Sequence, residues 1–122
     1  MSYSNPMTVT FNAAKDFAST DVTYALAAPL GCSRGRLRDI QVGVTTNCAG
    51  ATTKPIVNLG KAAALTKYAS LNLATTAAGA VIKAASFTED DIDDTTLLLT
   101  LVAATGAGAA GVGVVSVTID WF

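Results

Sequence analysis

A chain of 122 residues fits one domain, long enough to bury roughly two thirds of its unfolded surface and too short for a second independent core. Its formal net charge of -1 excludes the large one-signed field that draws in nucleic acid or an anionic membrane. With no histidine, and with its hydrophobicity carried by Val, Ile, Leu and Ala among Thr, Ser and Gly, the chain is made for packing and binding rather than turnover.

Residues 1–6 (MSYSNP) hold neither a basic region nor an apolar run, so they read as no signal peptide but as a short arm ahead of a domain at 7–122. Residues 7–12 (MTVTFN) alternate apolar with polar, which predicts a half-buried strand. A second strand is predicted over 22–26, after the turn signal Ser19, Thr20, Asp21, and residues 29–31 (PLG) break the chain. A long strand over 37–46 places Ile40, Val42 and Val44 on one face and Gln41, Gly43 and Thr45 on the other. Residues 47–53 form a polar loop, and a strand over 54–59 begins beside Pro55, which suits a strand start or a sheet edge.

The Ala-rich residues 60–67 predict a loop or a helical turn. Residues 68–73 alternate again, with Tyr68, Ser70 and Asn72 opposite Ala69, Leu71 and Leu73. A turn over 75–79 leads to a weaker strand or extended segment at 80–87, and residues 88–94 (TEDDIDD) read as a short helical turn capped by Thr88 or Ser86. Two strong strands, at 96–103 and 112–122, close the chain; Val115, Val117, Ile119 and Trp121 share a face in the last. About eight short strands with almost no helix predict an all-β, single-domain antiparallel sandwich or barrel, of which the sandwich is the reading taken. The uncharged stretch 97–119 is long enough to span a bilayer, but its central glycines and β-branched alternation fit two strands and a loop.

The candidate sites are few. Arg34, Arg36 and Arg38 recur at period two, which on a strand lines one face or edge. No aromatic interleaves with them to stack bases, so a row directed at an acidic protein partner is the reading, with no nucleic acid, membrane or small-molecule substrate. Cys32 and Cys48 flank the long strand, on the order of 35 Å apart at roughly 3.3 Å per residue. A disulfide needs Cα atoms within about 7 Å, so both are read as free thiols, as in a reducing cytosol. Two thiols without histidine build no zinc site.

Gly106, Gly108 and Gly111 match G-x-G-x-x-G, but a strand rather than a helix follows them, so no helix N-terminus is there to hold a pyrophosphate. Glu89, Asp90, Asp91, Asp93 and Asp94 offer carboxylates to calcium without the spacing of a calcium loop, and a solvated turn is the plainer reading. No histidine stands ready as a base for a serine nucleophile, so no catalytic residue, cofactor or metal ligand is assigned. Tyr3, Tyr24, Tyr68 and Trp121 are the aromatics from which a sugar-binding platform would be built.

The segments 5–12 (NPMTVTFN), 35–42 (GRLRDIQV), 87–93 (FTEDDID) and 117–122 (VTIDWF) resemble small virion proteins of tailed bacteriophages, the head decoration or cement proteins. The resemblance implies a β-sandwich, often jelly-roll-like, that trimerises on the outside of an icosahedral head. There it clamps subunits of the major capsid protein, after synthesis in the host cytoplasm. It carries no catalytic residues across. Multivalent attachment suits that role, because many copies multiply a modest single-site affinity. The expected contacts are Tyr3, Asn5 and Pro6 in the arm, the row Arg34, Arg36 and Arg38, and the terminal rings Trp121 and Phe122. The rival is a carbohydrate- or receptor-binding sandwich of a fibre or tail.

Overall fold

Alternation of branched apolar residues with Thr, Ser and Asn makes helix unfavourable and pleated strands favourable over most of this chain. The computed structural model describes residues 7–73, 76–84 and 86–122, and among these every regular element is a strand. In chain order they are β1 (Met7–Asp16), β2 (Val22–Ala27), β3 (Gly35–Ala49), β4 (Ile56–Lys61) and β5 (Ala64–Asn72), then β6 (Val81–Lys83), β7 (Asp91–Ile92), β8 (Thr96–Val102) and β9 (Ala110–Trp121). One sheet has the order β1-β9-β3-β6, with β7 also on β3, and the other has the order β2-β8-β4-β5. All pairings are antiparallel. The pairs β1·β9, β2·β8, β3·β6 and β4·β5 nest inside one another, so the chain folds as one long hairpin wrapped into two layers.

The inner faces supply the core. From the first sheet come Leu37, Ile40, Val42, Val115, Val117 and Ile119; Val57, Leu59, Leu71, Leu97, Leu99 and Leu101 oppose them from the second. Each such side chain contributes about 1.5–3 kcal/mol on leaving water. The face assigned to Val115, Val117, Ile119 and Trp121 is the buried one, as is that of Ile40, Val42 and Val44. A bulge between Leu37 and Asp39 inserts Arg38 into β3, which is why Leu37 and Ile40, three residues apart, both point inward.

Three sequence expectations are corrected. Residues 60–67 hold neither an open loop nor a helical turn: β4 and β5 meet in a hairpin whose last pair is Lys61 with Ala64, leaving Ala62 and Ala63 as its turn. The acidic segment is not helical; Asp91 and Ile92 pair with Arg36 and Gly35 as an edge strand, and Ile92 is buried. Tyr68 does not share the exposure of Ser70 and Asn72 but is fully buried, under residues 88–94. The nine described strands in two antiparallel sheets agree with the expected sandwich of about eight.

The two long sides of the sandwich differ. On one, Thr88 and Glu89 donate their backbone N–H groups to the Tyr68 carbonyl at 2.8 and 3.3 Å, while Leu37 N–H donates to the Asp90 carbonyl at 2.7 Å. Residues 88–90 thus bridge the edge of one sheet to the edge of the other. On the opposite side β1 pairs only with β9 and β2 only with β8 among the described residues, so two edge strands face each other unpaired. Phe11 and Tyr24 meet there, ring centroids 5.1 Å apart at 56°.

Candidate interaction surfaces

Three places gather chemistry, and the first is the arginine row. Gly35 pairs with Trp121 and Arg36 with Asp120, so the start of β3 lies against the end of β9. All three arginines are exposed, alternating with buried Gly35 and Leu37, and the bulge interrupts the alternation only after Arg38. Arg36 reaches Asp91 on β7 at 3.4 Å, whereas Arg38 reaches Asp120 on β9 at 3.5 Å. Asp120 also accepts from the Thr8 hydroxyl at 2.6 Å. Both guanidinium side chains stay more than half exposed, so they keep donors for a partner while balanced within the chain. Arg34 and Phe122 exchange backbone hydrogen bonds at 3.1 and 2.9 Å, which pins the last residue beside the row.

The two terminal rings separate. Trp121 is 2 % exposed and packs over Gly35, where an added Cβ would lie 2.8 Å from the indole. Phe122 is 48 % exposed. An outward aromatic platform of Tyr68 and Trp121 is therefore not formed: both rings belong to the core, and of the two terminal rings Phe122 is the exposed one. Tyr3, Asn5 and Pro6 lie outside the described residues, as does the whole arm 1–6.

The second place is the charge cluster under the β4–β5 hairpin. Lys67 Nζ lies 3.0 Å from both Asp93 Oδ1 and Asp94 Oδ2. The Tyr68 hydroxyl donates to Asp93 Oδ1 at 3.1 Å and to Asp94 Oδ2, and Lys61 stands 3.8 Å from Asp94 Oδ1. Hydrogen bonds from Lys67 and then Tyr68 hold Asp93 below the usual carboxylate range, and those from Tyr68 and then Lys67 do the same for Asp94. Burial first, and then the bond to Asp94, push Tyr68 up to about 12; the bonds to Asp93 and Asp94 raise Lys67. Carboxylates so occupied offer calcium few free oxygens, and no group of three metal-ligating side chains converges among the described residues. The cluster ties β5 to residues 93–94 and is a structural clasp.

The third place was not foreseen in the sequence. Between the unpaired edges of β1 and β2 runs an apolar groove of about 250 Å³. Val117, Ile119 and Trp121 line it from β9, Val9 and Phe11 from β1, and Leu26 from β2; among the described residues no charged side chain lines it. The inner face of β1 passes from Ala13, buried, through half-buried Phe11 to exposed Val9 and Met7, so this strand outruns its cover. The signal was present as a strand whose apolar face has no second sheet above its first residues, but alternation alone does not reveal the length of the opposite sheet.

Elsewhere the glycine motif forms the turn between β8 and β9, with Gly106 at φ 92° against Thr52, and it leads into a strand. Cys32 and Cys48 are free thiols; Cys48 is buried, which pushes its thiol up. Among the described residues no helix is long and apolar enough to cross a membrane.

No family model matches the chain, and no curated protein matches it. Among solved structures it is similar to a chain of the cyanophage Pam1 capsid asymmetric unit, with a TM-score of 0.54 and 18 % identity. The alignment covers 96 % of this chain and 86 % of that one, so the two share a fold from end to end and are of similar length.

Proposed function

We propose that this chain is a non-enzymatic structural virion protein that decorates the outside of a phage head and reinforces its shell. The observation that carries this reading is the end-to-end fold likeness to a chain of similar length in a capsid asymmetric unit. The nested strand order supports it: in this reading it is that of a jelly roll, a sandwich that viral capsids use. So does the surface chemistry: the main charge cluster is neutralised within the chain, while Arg36, Arg38 and Phe122 gather exposed cationic and aromatic groups at one end. In this reading the arginines meet acidic side chains of the major capsid protein, Phe122 supplies an apolar anchor, and Trp121 holds the terminal strand from inside. The copies act as trimers, which multiplies a modest contact into firm attachment.

The test is re-addition. Purified chain is mixed with heads that lack it, and the temperature at which the heads release DNA is followed by dye fluorescence. Saturable binding that raises the release temperature is expected. Heads that neither bind the chain nor gain stability contradict the proposal.

A further inference from the structure

Among the described residues β1 pairs with β9 alone, and its other side is a regular, unguarded sheet edge. We propose that β1 pairs antiparallel with β1 of a second copy of this chain, across a two-fold axis at Thr10, so that the first sheets of two sandwiches continue into each other.

The backbone directions come first. Phe17 N–H donates to the Gly111 carbonyl at 2.7 Å, and at the other end of β9 Phe122 exchanges bonds with Arg34. Odd residues of β9 thus bond toward β1 and even ones away from it. The β1·β9 register runs from Met7 to Asp16 without a bulge, so the odd residues of β1 bond to β9 throughout. The N–H and C=O groups of Thr8, Thr10, Asn12 and Ala14 therefore point out of the sheet, and no described strand takes them up. Natural edges are guarded by lysine, proline, bulges or a covering loop. The opposite side of the sandwich has such a cover in residues 88–90. Residues 7–14 (MTVTFNAA) have no charge, proline or bulge, and they carry Met7 and Val9 at 51 % and 38 % exposure. Lys15 and Asp16, the charges on β1, come at its far end.

The occupant is a second copy because this strand complements itself. Free groups on even residues allow only even residues to exchange bonds, and the register centred on Thr10 is the longest that leaves Lys15 outside. It sets Val9 opposite the second copy's Phe11 and Met7 opposite its Ala13, so exposed apolar side chains meet apolar ones on the inner face. On the outer face Thr8 meets the second copy's Asn12 and Thr10 its counterpart, all groups that both donate and accept. About six backbone hydrogen bonds form, two for each opposed pair. No like charges meet, as they do when a charged strand faces itself across a two-fold axis. That axis stands perpendicular to the sheet, so the two apolar grooves face each other and shield one another. The contact is separate from the trimer contact and from attachment to a head, and it stands or falls without either.

The test uses the purified full chain. Amide hydrogen exchange, read by NMR at high protein concentration, is expected to be about tenfold or more slower at Thr8, Thr10 and Asn12 than for unpaired amides. Thr10→Cys under mild oxidation is expected to give disulfide-linked pairs through the introduced thiol, mapped by peptide mass, because such opposed residues lie about 5.5 Å apart. Thr118→Cys, one strand further in beside Thr10, is expected to give none, since its counterpart is roughly 14 Å away. Protection of the three amides together with Thr10→Cys pairs upholds the proposal. Rapid exchange of those amides, an absence of Thr10→Cys pairs, or equal linking by Thr118→Cys would each overturn it.

Discussion

Tyr68 shows how one hydroxyl ties a segment to a sheet. Its O–H is shared between Asp93 and Asp94, whose charges Lys67 balances. Tyr68→Phe keeps the buried ring and removes the donor, so it is expected to cost about 1–3 kcal/mol in urea unfolding at neutral pH. The pH dependence follows from the shifts. Asp93 and Asp94 lie below their unfolded values, so their contribution is complete above about pH 4 and is lost as pH falls through the folded values. Tyr68 and Lys67 are raised, so their contribution is complete below about pH 10 and is lost as pH climbs toward 12 and beyond. Urea midpoints should therefore form a plateau between these limits, with a shallower alkaline fall in Tyr68→Phe; a midpoint that rises below pH 4 would contradict the clasp. None of this was legible in the alternation of residues 68–73, which grouped Tyr68 with Ser70 and Asn72. A period-two pattern reports direction from a sheet, and it does not register a distant segment that folds over one position.

At the scale of elements, the end of β9 is held by a close approach. Gly35 lies under Trp121, and a methyl group there would sit 2.8 Å from the indole and 3.2 Å from the Asp120 carbonyl. Gly35→Ala is expected to destabilise by about 1–3 kcal/mol through overpacking, with a shifted Trp121 fluorescence. Trp121→Ala, which empties a core site, is expected to cost about 3–5 kcal/mol. Equal stability in thermal melts of both variants would contradict this packing. The long, strongly alternating β3 and β9 were readable because one face of each is fully covered. The β4–β5 hairpin was not, because Ala62 and Ala63 carry none of the Gly, Asn or Asp chemistry that marks a tight turn. β7 escaped for a related reason: two residues among acids have no periodicity, and it is burial of Ile92, with Arg36 opposite Asp91, that holds them on β3.

For the whole molecule, the nested antiparallel pairing places one side of the sandwich under cover and leaves the other open, so faces for partners follow from topology more than from any motif. The sandwich class was legible from strand count and spacing, but the groove was not, since it arises where two edge strands approach from distant parts of the chain. The arginine row was visible in the sequence, yet its partners Asp91 and Asp120 were not, because they lie on β7 and β9, which flank β3 from distant parts of the chain. Replacing Arg34, Arg36 and Arg38 together by Ala is expected to change stability by no more than about 1 kcal/mol, as for exposed ion pairs. It should weaken attachment to heads in a manner that added salt mimics, read by co-sedimentation at low and high salt. Unaltered attachment at low salt would remove the row from the interface. The most direct measurement of the central claim is the copy number of this chain relative to the major capsid protein in gradient-purified particles, by quantitative mass spectrometry. A head decoration protein predicts near-stoichiometric amounts, and a handful of copies per particle, or none, would contradict it.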